Sequence, residues 1–171
     1  MRYDDVIRLL KGSPGEKDPE GSYLLGVALI RTGDRAEAPG ALKRAVATGG
    51  SRRVTVGGKA GSLRAVAASE LALLLAEGGQ GEEIVRLQEA LKDQRGTRVP
   101  VAGDDGIPRG ENRLGVLLRL AEARALAQEG REEELRELLT LLSLEKGPVP
   151  WKGEVRPLEE ALGDLQRAGP R

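Results

Sequence analysis

The sequence contains no cysteine, no histidine and no phenylalanine. Without cysteine there is neither a disulfide nor a thiolate nucleophile. Without histidine, zinc sites built on Cys or His and any triad that needs an imidazole are excluded. The aromatics are Tyr3, Tyr23 and Trp151. A β-sandwich core draws on aromatic and β-branched side chains, so an interior of Leu, Ala and Val suits close-packed helices better. Net charge is also missing, because 27 Lys and Arg balance 27 Asp and Glu. Global charge therefore supplies no attraction to nucleic acid or to an acidic membrane surface. The longest apolar run, Leu71 to Ala76, is far too short to cross a bilayer. Met1-Arg2-Tyr3-Asp4-Asp5 is followed by no apolar stretch of the kind a secretory signal needs. These absences lead us to expect a soluble, cytoplasmic protein with no membrane partner. Abundant Arg and Glu with a single Met lean toward a thermophilic source.

The 171 residues suffice for one domain with its own core. Their dominant pattern is Leu, Ala and Val at three- and four-residue spacing, punctuated by glycine. Val6, Leu9 and Leu10 predict a short helix that stops at Gly12-Ser13-Pro14-Gly15. Three helical hairpins follow, over about 19–47, 63–93 and 113–145, with a last helix over about 157–168. In the first hairpin Asp34 and Glu37 have capping-box spacing, while Pro39 must lie in the first helical turn. Glu132, Glu133 and Glu134 suit a helix start, where the dipole favours acid. Pro157 suits the first position of the last helix.

Superposing the three hairpins on Gly33, Gly79 and Gly130 exposes a register. Four residues before each glycine stands Leu29, Leu75 or Leu126. Seven before stands a small residue, Gly26, Ala72 or Ala123. Five after stands Ala38, Ile84 or Leu135, and twelve after stands Ala45, Leu91 or Leu142. Small residues let paired helices approach closely, and glycine permits the sharp turn between them.

The first hairpin, LGVALIRTGDRAEAPGALKRA, resembles the tetratricopeptide (TPR) repeat through Leu25, Gly26, Leu29, Gly33, Ala38, Leu42 and Ala45. The other two keep the spacing without the Leu-Gly pair, so the resemblance covers roughly two-thirds of the chain. It implies an all-α fold: a single TPR-like domain over residues 1–171, with three hairpins stacked as a right-handed solenoid and a C-terminal capping helix. The turn glycines lie 46 and 51 residues apart, against about 34 in a standard repeat. The excess falls after each second helix, in residues 48–62 and 93–112, which are expected to be long inter-repeat loops. Within them Val54-Thr55-Val56 and Val99-Pro100-Val101 are candidate short strands.

The resemblance also implies a concave face lined by the first helix of each hairpin. Projected onto this chain, that face comprises Tyr23, Val27, Arg31, Ser69, Leu73, Glu77, Leu120, Arg124 and Gln128. A largely apolar groove of this kind suits an amphipathic helix or an extended peptide, unless the last helix fills it. None of these positions is Lys or Asn, so the carboxylate clamp of some TPR proteins is not carried over. The leading expectation is a non-enzymatic adaptor or scaffold for a protein or peptide, with a homo-oligomer left open and no cofactor or metal. The alternative is a nucleic-acid-associated protein using the loop edge Arg52, Arg53, Lys59 and Arg64, although no aromatic there could stack a base. VGGKAGS lacks phosphate-loop spacing, because Ala60 follows Lys59. Asp104-Asp105 lacks the ligand ladder of a calcium loop and reads as a turn. The other acids read as helix-surface charge, which disfavours a carboxylate-based hydrolase. Trp151, between Pro150 and Lys152, is expected to pack the last helix onto the third hairpin.

Overall fold

A computed structural model describes residues 2–168. Its first helix, α1 (Tyr3–Leu10), packs Ile7 and Leu10 on a small cluster formed by Leu25, Leu29, Ala38 and Ala41. A 3-10 turn leads to α2 (Pro19–Thr32). Asp18 caps α2, accepting from the amides of Glu20 at 3.0 Å and Gly21 at 3.4 Å, which satisfies two donors that the helix start leaves free. Next comes α3 (Ala38–Thr48), with Pro39 in its first turn. The capping box expected of Asp34 does not form. Glu37 itself is the N-cap residue, it makes no side-chain cap bond, and it pairs instead with Lys11 at 2.6 Å. Residues 35–37 form a turn that delays the helix until Ala38.

The expectation of an all-α fold is overturned. Both segments read as long loops fold into antiparallel β-hairpins, and a third hairpin precedes the last helix. β1 (Arg53–Val56) pairs with β2 (Lys59–Ser62), β3 (Arg98–Ala102) with β4 (Pro108–Arg113), and β5 (Pro148–Trp151) with β6 (Glu154–Pro157). Each hairpin runs straight into a helix: α4 (Leu63–Glu77), α6 (Leu114–Glu129) and α8 (Leu158–Ala168). A second helix follows the first two of these, α5 (Gly81–Ala90) and α7 (Glu132–Leu142). The repeating unit is thus a β-hairpin, an inner helix and an outer helix. The first unit has no hairpin and carries α1 in its place.

The strand-to-helix junction recurs in its first helical residue and in one backbone hydrogen bond. Leu63, Leu114 and Leu158 open their helices and are fully buried. The amide of each donates to a carbonyl just ahead of the hairpin: Arg52 at 2.9 Å, Thr97 at 2.9 Å and Gly147 at 3.0 Å. Hairpins 1 and 3 close through two-residue turns in which both φ angles are positive, +51° and +86° at Gly57-Gly58, and +51° and +85° at Lys152-Gly153. That primed geometry matches the right-handed twist of the strands. Neighbouring hairpins interlock where a glycine of one receives a proline ring of the next. A Cβ on Gly61 would stand 3.1 Å from Pro100, and one on Gly110 would stand 2.6 Å from Pro148.

All twelve positions of the glycine register are buried. Gly26 has a visible steric reason, since a Cβ there would stand 2.7 Å from the Leu42 side chain. The inner helices α4 and α6 pack on one another, and α3 packs between α2 and α4. No helix among the described residues is long and apolar enough to cross a membrane.

Candidate functional site

The inner helices and the hairpin tips leave a cleft between them. α4 presents Ser69, Glu70, Leu73, Leu74 and Glu77, a spacing of three and four that keeps one helical stripe on the cleft. α2 contributes Ile30 and Arg31, and the turn after it contributes Arg35. α6 adds Leu117 and Arg124, two turns apart on one face. The opposite wall is β3 with its tip, Pro100 to Asp104, and the third hairpin's tip, Pro150 to Gly153. The enclosed volume is about 90 Å³.

Polar contacts tie the walls together. Arg31 reaches from α2 to the tip of hairpin 2, donating to the Gly103 carbonyl at 3.3 Å and pairing with Asp104 at 3.3 Å. The Asp104 amide in turn donates to the Gly153 carbonyl at 2.8 Å, joining hairpins 2 and 3. Trp151 is buried, and its Nε1 donates to Asp164 of α8 at 2.9 Å. Asp164 also accepts from Lys152 at 2.8 Å and Arg167 at 2.7 Å, and these three donors hold its carboxyl well below the usual range. Trp151, on β5, therefore ties its own β-hairpin to α8, and the Arg124 guanidinium of α6 sits 5.9 Å from its ring centroid.

Of the nine residues projected onto the concave face, five line the cleft: Arg31, Ser69, Leu73, Glu77 and Arg124. The Ser69 hydroxyl donates to the Val66 carbonyl of its own helix at 2.9 Å. Tyr23 and Leu120 are core residues, and burial pushes the Tyr23 phenol far above its ordinary value. Val27 packs half-buried against the core, and Gln128 is exposed beside Gly79. The hairpin tips push polar backbone and charge into the space. The cleft is consequently mixed in character rather than largely apolar.

Sequence reasoning passed over Glu70. It is half-buried within the cleft, and it makes neither an ion pair nor a side-chain hydrogen bond with a described residue. Burial raises its carboxyl pKa, Arg31 opposes that rise, and Asp104 adds to it. A signal was available: Glu70 is the only ionisable residue between Arg64 and Glu77 in a run of Ala, Leu and Val. Reading the acids as surface charge overlooked that an acid inside an all-round apolar helix must face something.

The basic edge is dispersed. Arg52 pairs with Asp18 at 2.9 Å, and Arg53 donates to the Ala60 carbonyl within its own hairpin at 3.2 Å. Lys59 is exposed on β2, while Arg64 is half-buried on α4 with its Nε enclosed and unpartnered. Asp104 and Asp105 form the tip of hairpin 2, where Asp105 accepts from Arg109 at 2.5 Å. Among the described residues no group of three or more acids stands close enough to hold a metal ion. No family model, curated protein or solved structure matches this chain.

Proposed function

We propose that the chain is a non-enzymatic interaction module whose cleft holds an extended segment of a partner polypeptide. The observation that carries this reading is the convergence of three successive units, together with two hairpin tips, on one cleft. Its volume is about 90 Å³. Pockets for drug-sized ligands run to about 300–1,000 Å³. The cleft therefore accepts one side chain of a longer chain, not a whole small molecule. A helix is about 10 Å across, which a cleft of about 90 Å³ suits poorly, so we favour an extended segment over a helix. The helical pairs are, on this reading, those of a TPR-like repeat to which each later unit adds a β-hairpin. The nucleic-acid reading draws less support, because Arg52 is neutralised by Asp18 and Arg64 is half-buried.

The test is selection of a displayed library of random internal peptides against the whole chain. Enriched peptides are expected to bind in solution, and Leu73→Arg is expected to weaken them by about tenfold or more, roughly 1.4 kcal/mol. Val85→Arg, on the exposed face of α5, is expected to leave them unchanged. A selection that enriches nothing, or peptides indifferent to Leu73→Arg, would contradict the reading.

A further inference from the structure

Arg124 lines the cleft together with Trp151, Leu117 and Leu73, its guanidinium 5.9 Å from the Trp151 ring centroid and 27% of its side chain exposed. Its nearest carboxylate oxygen, Oε1 of Glu77, is 3.8 Å away, outside hydrogen-bond reach. The other oxygen of Glu77 is taken by Arg35. Arg124 makes no side-chain hydrogen bond with a described residue, and its only described partner other than Glu77 is the Trp151 ring face. Two guanidiniums thus share one carboxylate. A planar guanidinium carries five donors suited to a two-oxygen acceptor, and here they border open space.

The rest of the cleft does not supply that acceptor. Asp104 is engaged by Arg31 on the hairpin tip. Glu70 lies in a setting that favours its neutral form. Burial and the like charge of Arg35 both act against Arg124's own charged form, so an added anion would relieve it.

We propose that the corner formed by Arg124 and Trp151 receives the side-chain carboxylate of a glutamate on the extended partner, with its methylenes against Leu73 and Leu117. The charge follows from a guanidinium that shares its one carboxylate with Arg35 and is hydrogen-bonded to no described residue. The preference for glutamate over aspartate follows from Leu73 and Leu117, which line the same cleft and suit a stem of more than one carbon. This inference rests on the reading of the cleft as a polypeptide site.

The experiment uses the peptides enriched from the internal display library, in which no free C-terminus is offered. The expected result is a glutamate at one fixed position. Exchange of that glutamate for glutamine should weaken binding to the wild-type chain by about tenfold or more. Arg124→Gln should bind the two peptides within about twofold, and Arg124→Lys should restore part of the discrimination. Thermal melts of both variants confirm that they fold. Enriched peptides that are lost with Leu73→Arg but carry no acid preference would overturn this inference and leave the polypeptide site standing. A preference for aspartate or phosphoserine would overturn it as well. So would self-association of the chain that Arg124→Gln abolishes, since the occupant would then be a second copy. A selection that enriches nothing overturns both this inference and the reading beneath it.

Discussion

Glu70 shows how one side chain couples the cleft to stability. Burial raises its pKa above the ordinary value of 4.5, Arg31 on α2 works against that shift, and Asp104 on the hairpin tip works with it. Tyr23 also faces it, but its phenol is neutral across the working range. Between the unfolded and the raised folded-state pKa, the folded chain therefore binds more of this proton than the unfolded chain does. Stability falls as pH rises from about 4.5 through the folded-state pKa, because more protons are bound in the native state. Glu70→Gln removes the cost of burying the charge. It should raise Tm at pH 8 and lose most of that advantage toward pH 3, where the wild-type carboxyl is protonated in both states. Calorimetric melts of both chains across that range check it. An E70Q chain that melts no higher than wild type at pH 8 would show that Arg31 fully compensates the buried carboxylate.

At the scale of elements, the hairpins do what the register glycines do for the helices: they set how closely neighbours approach. Gly57 and Gly58 separate two contributions. Both have positive φ, but a Cβ on Gly57 would overlap the Pro108 ring of the next hairpin, whereas one on Gly58 meets nothing within 4 Å. Gly58→Ala should cost about 1–2 kcal/mol from backbone conformation alone. Gly57→Ala should cost that and about 1–3 kcal/mol more for the overlap. Urea titrations of the two variants check the order, and equal losses would mean that the hairpins do not lock together. The helices were legible because Leu and Ala recur at their period, and every position of the glycine register is buried. The hairpins were only half legible. Val54-Thr55-Val56 and Val99-Pro100-Val101 carry a two-residue alternation, but PVPW at 148–151 holds two prolines, which cannot donate to a ladder and argue against a strand. In the fold Pro148 is the first residue of its strand, a place where proline is tolerated. Four-residue strands also have too few residues for a period to emerge from one sequence.

On the scale of the whole molecule, the cleft exists only because separate units meet. Arg31, Glu70 and Arg124 come from three inner helices, and Asp104 and Trp151 from two hairpin tips. Projection of the TPR pattern onto the chain placed Arg31, Ser69, Leu73, Glu77 and Arg124 on one face of the inner helices. It could not place the opposite wall, because contacts such as Arg31 to Gly103 join residues 72 positions apart. It also put Tyr23 and Leu120 on that face, where the packing of neighbouring inner helices buries them. The first and last described units differ from the two between them. α1 covers the first, and the exposed side of α8 carries Glu159, Glu160, Gln166 and Arg167. The most direct test of the account is a titration of the isotope-labelled chain with a selected peptide, followed by backbone amide and Trp151 indole resonances. The account predicts that the largest shifts cluster at Arg31, Ser69 to Leu73, Gly103-Asp104 and Trp151. Shifts gathered instead on the outer helices around Val85 and Leu141, or along Arg53 and Lys59, would contradict it.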